Sequence, residues 1–309
     1  MPVTAECLSM TALLGFIPSP SSGILKLGPL GIHLYGVTLL VAILACVWLT
    51  TRRWQALGGD GDLVVRVAVW GGGFGVVGAR LYHDLTSWDT VSSPKWKGIF
   101  AVWEGGLGIW GGVLFGTLAG VVVVRRAGAR PLLFMEAIAP GMLLAQGIGR
   151  VGNWWNQELY GKPTSLPWGL KIDSAHVDPA YIQFHTFQPT FLYELLWNLA
   201  GVVLLLWVAR RFTLRPPALF SLYVAYYCFG RFFEELLRID KSAHLLGLRL
   251  NAWVSLVCFA LAAAFFLRWQ LFGRDGGTPR VSRRERKQHD RHLHPPEGPK
   301  MAIPKGRVR

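Results

Sequence analysis

The chain has 309 residues, 52% of them hydrophobic and only 16% charged, with a formal net charge of +14 and a mean hydropathy of +0.34. A water-soluble domain of this length carries nearer a quarter charged residues, so the composition excludes an ordinary soluble enzyme and implies an all-α polytopic membrane protein. Four cysteines, Cys7, Cys46, Cys228 and Cys258, form neither a disulfide framework nor a metal-ligand spacing, which sets aside a disulfide-stapled secreted scaffold.

Residues 1–30 are expected to be an extracytoplasmic segment and not a secretory signal. They lack a basic leading region, and the apolar run Met10–Ile17 is short and followed by Pro18 and Pro20. Seven apolar stretches follow, near 31–50, 63–82, 106–124, 132–149, 190–209, 218–237 and 251–269. Each is about 18 to 22 residues, long enough to cross a hydrocarbon core of about 30 Å as a helix. The fourth is the weakest, because Glu136, Pro140, Gly141 and Gly147 interrupt it. On spans two and three, Gly71, Gly75 and Ala79, and Gly108, Gly112, Gly116 and Gly120, recur every four residues. Small residues at that spacing let helix backbones approach closely in lipid.

Arginines close spans one, three and five: Arg52 and Arg53, then Arg125, Arg126 and Arg130, then Arg210, Arg211 and Arg215. Twelve Lys/Arg lie between Arg268 and Arg309. Because basic residues concentrate on the cytoplasmic side, the N-terminus is expected outside and the C-terminus in the cytoplasm. The tail 271–309 is expected to be disordered and to lie against anionic lipid, with no nucleic-acid role. Its His289, His292 and His294 are read as solvated. The longer connections, about 83–105, 150–189 and 238–250, fall on the outer side, where substrate-handling structure is expected.

Polar residues inside or at the outer ends of spans carry the chemistry. An arginine within a span costs roughly 2.5–3.5 kcal/mol on insertion scales and therefore faces a polar interior with a partner. On span six, Tyr227, Arg231 and Glu235 fall at i, i+4 and i+8, on one helix face. After span four comes Gly149-Arg150-Val-Gly152-Asn153-Trp154-Trp-Asn156-Gln-Glu158-Leu-Tyr-Gly161. Its glycines permit tight backbone paths, and Arg150 supplies a planar fork suited to phosphate.

This block resembles the signature of the prolipoprotein diacylglyceryl transferases, Gly-Arg-x-Gly-Asn-Phe-x-Asn-x-Glu-x-x-Gly, with Trp154 in place of Phe. Further elements of that family stand in order: His33-Leu-Tyr35-Gly36, Gly78-Ala-Arg80, Trp103-Glu-Gly105-Gly106, Pro189-Thr-Phe-Leu-Tyr193-Glu194, and Leu-Arg238-Ile-Asp240 after span six. The resemblance covers roughly 28–270 and makes 31–270 a seven-helix catalytic domain. It implies transfer of the diacylglyceryl group of phosphatidylglycerol to the lipobox cysteine thiol of prolipoproteins, at the outer face of a bacterial cytoplasmic membrane. Phosphatidylglycerol, the precursor's signal peptide and membrane lipids are then the partners, with no cofactor and no metal. Arg150 and Arg231 are expected to clamp the lipid phosphate, neutralising charge on the leaving group. Asn153 would fix the headgroup, Glu158 and Glu235 would hold the arginines or contact the acceptor, and Tyr35 and Tyr227 would position polar oxygens. Gly161 reads as a backbone requirement. Arg80, Glu136 and Glu194 read as structural.

Two positions depart from the family pattern. Trp110 precedes Gly111-Gly112 and Gln188 precedes Pro189, where the family commonly carries histidine. The thiol's base is therefore unassigned by resemblance. A positive field from Arg150 and Arg231 would itself favour the thiolate, and His33 and His83 are expected to be interfacial and dispensable. The rival classes are a transporter, for which repeated halves are expected, and a non-catalytic scaffold, which has no need of the Arg/Asn/Glu block.

Overall fold

The computed structural model describes residues 16–28 and 30–271. The basic tail and most of the expected N-terminal segment lie outside these residues. The long helices are α1 (Leu34–Ala56), α2 (Gly61–Thr86), α4 (Ile109–Arg126), α5 (Pro131–Asn156), α6 (Thr190–Arg211), α7 (Ala218–Leu237) and α8 (Leu250–Leu271), with a short α3 (Lys95–Gly98) between α2 and α4. Six of them, all but α7 of the long set, are long and apolar enough to cross a membrane. α7 matches them in length, but Arg231, Glu234 and Glu235 crowd its last two turns. The protein is thus a helical, polytopic membrane protein. Outward faces of the helices carry exposed residues such as Leu44, Val69, Leu118 and Val203, as expected where the solvent is lipid.

Neighbouring helices run antiparallel, and the contacts at their small residues show it. Gly71 faces Gly116, Gly75 faces Gly112, and Gly78 faces Gly111, so the two glycine stripes of α2 and α4 meet each other. A methyl group at Gly78 would stand 2.5 Å from the Gly111 carbonyl oxygen, which only glycine avoids. α1 descends along α5 in the same way, with Tyr35 against Gly152 and Cys46 against Gly141. α5 meets α6 where Gly147 accommodates Asn198, and α6 meets α7 where Gly201 accommodates Tyr226. The ends joined by short connectors therefore lie together. The longer connections share the other end, and small antiparallel hairpins stiffen them: β1–β2 (Ile24–Leu27, Leu30–His33), β3–β4 (Leu170–Lys171, Thr186–Phe187) and β5–β6 (His244–Leu245, Leu248–Arg249).

Charged side chains inside the bundle satisfy backbone groups. Pro140 lacks an N–H, so the carbonyl of Glu136, four residues earlier, loses its helical donor. Arg53 of α1 supplies it, donating from Nη2 to Glu136 O and from Nε to Ala137 O, both at 3.1 Å. The Glu136 carboxylate in turn accepts from Leu219 N at 3.0 Å, capping α7. Arg53 thereby replaces the donor that Pro140 removes, and the interrupted fourth span remains one helix. Arg80, 6% exposed, gathers the carbonyls of Gly98, Ile99 and Gly105 and so folds the connection from α2 to α4.

Arg53→Ala is expected to destabilise the detergent-solubilised protein by about 1–3 kcal/mol, the cost of an unsatisfied buried polar group. In a Pro140→Ala background, where the helix regains its own donor, the loss should be clearly smaller. Equal losses in both backgrounds, measured by thermal unfolding, would refute the backbone-rescue role.

Candidate active site

The end of α5 sets the site. Sequence hydropathy ends this helix near 149, yet it continues to Asn156, so Arg150 and Asn153 project from its last two turns. Gln157 terminates it in the left-handed region, φ +51°, a position that usually favours glycine. Its side chain compensates: Nε2 donates to Pro20 O at 2.9 Å and Asp173 Oδ2 at 2.6 Å, and Oε1 accepts from Asp173 N at 2.8 Å. Leu159 also has positive φ, +57°, held by Thr190 Oγ1 donating to its carbonyl at 2.6 Å. Between these two strained residues sits Glu158, whose Oε1 accepts from Asn153 Nδ2 at 2.9 Å. Trp154 donates from its indole nitrogen to Pro18 O at 3.0 Å, a bond that phenylalanine could not make.

Around this helix end a chain of ion pairs crosses three helices. Glu194 of α6, 5% exposed, lies between the two arginines: Arg150 Nε is 2.8 Å from Oε1 and Arg231 Nη1 is 3.2 Å from Oε2. Arg231 Nη1 also reaches Glu234 Oε2 at 2.8 Å, and Nη2 contacts Glu235 Oε1. Glu235, 1% exposed, passes the chain on to Arg249 Nε at 2.6 Å. Arg249 and Arg238 then hold Asp240 at 2.9 and 2.7 Å. Burial would raise the Asp240 carboxyl, but hydrogen bonds and charge from Arg238 and Arg249 hold it below its usual value. Its stabilising contribution is therefore present above the unfolded pKa and is lost as pH falls through the lowered one.

The structure gathers Arg150, Asn153, Glu158, Arg231 and Glu235 at one end of the bundle. Tyr227, one turn before Arg231, faces Arg150 and Glu194. Tyr35 packs its ring against Gly152, where a methyl group would stand 2.7 Å from its Cδ2. Gly161 is pinned by Gly161 N donating to Gln188 O at 2.9 Å, and a methyl group there would meet Gln188, Thr190 and Leu237 O. His33 is exposed at the start of α1, and His83 Nε2 lies 3.2 Å from Thr90 Oγ1. Trp110 is 53% exposed. Gln188 bonds Tyr193 and Thr164. Sequence reading misses Glu234, Arg249 and Gln157 and undervalues Glu194. Glu194 had one readable signal, a carboxylate one turn into an apolar helix.

Arginines thus converge from α5 and α7 on a buried carboxylate of α6 at the end of a membrane helix bundle, beside an asparagine and a second carboxylate. Residues 22–268 match the family model described as prolipoprotein diacylglyceryl transferase. The chain is 48% identical over 253 residues to phosphatidylglycerol–prolipoprotein diacylglyceryl transferase 2 of Streptomyces coelicolor, covering 81% of this chain and 80% of that protein. It is 47% identical to the corresponding transferase of Cutibacterium acnes, covering 81% and 86%, and 43% identical to that of Streptomyces griseus, covering 82% and 78%. The chain belongs to the prolipoprotein diacylglyceryl transferase family.

Glu235 joins Arg231 to Arg249 in the ion-pair chain. Glu235→Ala takes one carboxylate from each while Glu194, Glu234 and Asp240 remain, so it should destabilise by less than a fully stranded buried charge, which costs about 3–5 kcal/mol. Arg231→Ala and Glu235→Ala together should destabilise by about 0.5–3 kcal/mol less than the sum of the single changes. Additive losses in chemical unfolding would show that the two residues act independently.

Proposed function

We infer that this chain moves the diacylglyceryl group of phosphatidylglycerol onto the lipobox cysteine thiol of prolipoproteins, the first step of bacterial lipoprotein maturation. The observation that carries this reading is the convergence of Arg150 and Arg231 on the single carboxylate of Glu194. Two guanidinium forks already held side by side can exchange that carboxylate for a phosphate, and each can bind it through paired hydrogen bonds. The thiol sulfur attacks the glyceryl carbon next to the phosphate, a thioether forms, and glycerol phosphate leaves with the C–O electrons. Charge growing on that leaving group is what Arg150 and Arg231 stabilise. Asn153, steadied by Glu158, orients the headgroup, and Glu235 keeps Arg231 aimed. Tyr35 and Tyr227 offer hydroxyls from the apolar side, and Gly161 holds the loop against α7's end.

In this reading all seven long helices span the membrane. Arg52, Arg53, Arg125, Arg126, Arg130, Arg210, Arg211 and Arg215 face the cytoplasm with the C-terminus. The N-terminus and the site lie at the outer face, and lipid and signal peptide enter sideways between helices.

Phosphatidylglycerol labelled in its diacylglyceryl portion, mixed with a precursor peptide and the purified protein in vesicles, tests the function. Label on the peptide is expected; label crossing the bilayer instead would mean a transporter, and neither outcome would mean a scaffold. In the same assay Arg150→Lys keeps the charge but loses the fork. Two charge-assisted hydrogen bonds at about 1.5–3 kcal/mol each imply transfer slower by about 10²- to 10⁴-fold, and near-normal turnover would make Arg150 structural.

Orientation has its own test. A single cysteine placed within 156–186 of an otherwise cysteine-free variant should react with an impermeant thiol reagent in intact cells, and one within 274–309 should not. The reverse labelling pattern would move the site to the cytoplasmic face.

A further inference from the structure

A cavity of about 240 Å3 opens between α6 and α7. Its walls are apolar, formed by Trp197, Phe233, Leu237 and the bare backbone of Gly230. A methyl group at Gly230 would stand 2.2 Å from the Trp197 indole nitrogen, so glycine lets that ring lie flat against α7. Trp197 is fixed there by a reciprocal pair of bonds with Tyr226: Nε1 donates to Tyr226 O at 3.2 Å and Tyr226 Oη donates to Trp197 O at 2.9 Å. Only one part of the lining is charged, and it consists of Glu194 and Glu234.

These two carboxyls reach the same nitrogen. Arg231 Nη1 is 3.2 Å from Glu194 Oε2 and 2.8 Å from Glu234 Oε2. Both oxygens bond one nitrogen, so the two carboxyls stand side by side at the head of Arg231. The groups facing the pair are Arg150 from α5, Tyr193 from α6, and Tyr227, Arg231 and Glu235 from α7, with Arg249 behind Glu235. A pair of carboxyls thus ends an apolar cavity at the nitrogen assigned to the phosphate clamp. The two positions where the family commonly carries histidine are Trp110, which cannot take a proton, and Gln188, which is bonded to Tyr193 and Thr164.

We propose that Glu234, paired with Glu194, accepts the proton of the incoming cysteine thiol, which reaches it through the cavity between α6 and α7. This rests on the transferase reading above. The S–H bond breaks and its proton joins the carboxyl pair. The sulfur electron pair forms the bond to the glyceryl carbon, and the C–O bond to phosphate breaks with its electrons leaving on glycerol phosphate. The phosphate, by taking Arg150 and Arg231 from Glu194, frees a carboxylate oxygen to hold that proton. The pair is restored when that proton passes to water or to the departing phosphate.

Glu234→Gln keeps an acceptor for Arg231 but cannot take up a proton. Single-turnover transfer to a precursor peptide is measured from about pH 6 to pH 9, spanning the free thiol's pKa of about 8.5. A positioned base contributes about 10²- to 10⁴-fold, so E234Q should be at least about 100-fold slower at neutral pH. It should recover towards the wild-type rate as the peptide ionises by itself at high pH. Glu234→Asp should be slowed yet keep the wild-type pH profile, and it decides the matter if E234Q fails to fold. A rate for E234Q equal to wild type, or reduced by one constant factor at every pH, overturns the proposal, as does a thiol-like rise with pH in E234D. Absence of transfer by the wild-type protein would instead strike the functional reading.

Discussion

The structure depends on one constraint: charges taken out of water inside a lipid bundle must be paired. Glu194 is the point where this is decided, because it touches both Arg150 and Arg231. Pairing of this kind adds little net stability, since the desolvation of the ions offsets most of their attraction. Its effect is positional. The carboxylate keeps two guanidiniums converged on one point of the bundle. Counting the linked groups makes the point: Arg150, Arg231, Arg238 and Arg249 stand against Glu194, Glu234, Glu235 and Asp240. Each guanidinium in that network therefore has at least one carboxylate partner.

The same constraint governs the backbone. Where a helix is broken by Pro140, Arg53 supplies the missing donors; where the chain turns between α2 and α4, Arg80 collects the loose carbonyls. Both arginines answer the same requirement, that backbone carbonyls in hydrocarbon find donors. Close glycine contacts between α2 and α4 then add packing without introducing any polar group.

Much of this was legible in the sequence, for identifiable reasons. Span positions follow from hydropathy, and Arg150, Asn153, Arg231 and Glu235 stand out because polar residues are costly where they occur. The end of α5 was not legible: hydropathy falls at Gly149, but the helix is prolonged by tertiary bonds from Gln157 to residues far along the chain. Arg249 was hidden because it stands at a helix start, where a basic residue needs no special account. Glu234 was hidden because helical spacing from Tyr227 and Arg231 directs attention to Glu235, one residue further on.

Gln188 shows how a departure from a family pattern can be absorbed by the surroundings. Its Oε1 accepts from Tyr193 Oη at 2.7 Å, and Tyr193 in turn accepts from the Trp168 indole at 2.9 Å. Tyr193 lines the cavity between α6 and α7. A histidine at this place could titrate; a glutamine cannot, and it supplies instead a fixed acceptor and donor between Tyr193 and Thr164. The position therefore shapes the cavity wall in this chain and does not exchange protons. Trp110, half exposed at the start of α4, likewise offers no proton acceptor. Among the described residues lining that cavity the carboxylates are Glu194 and Glu234.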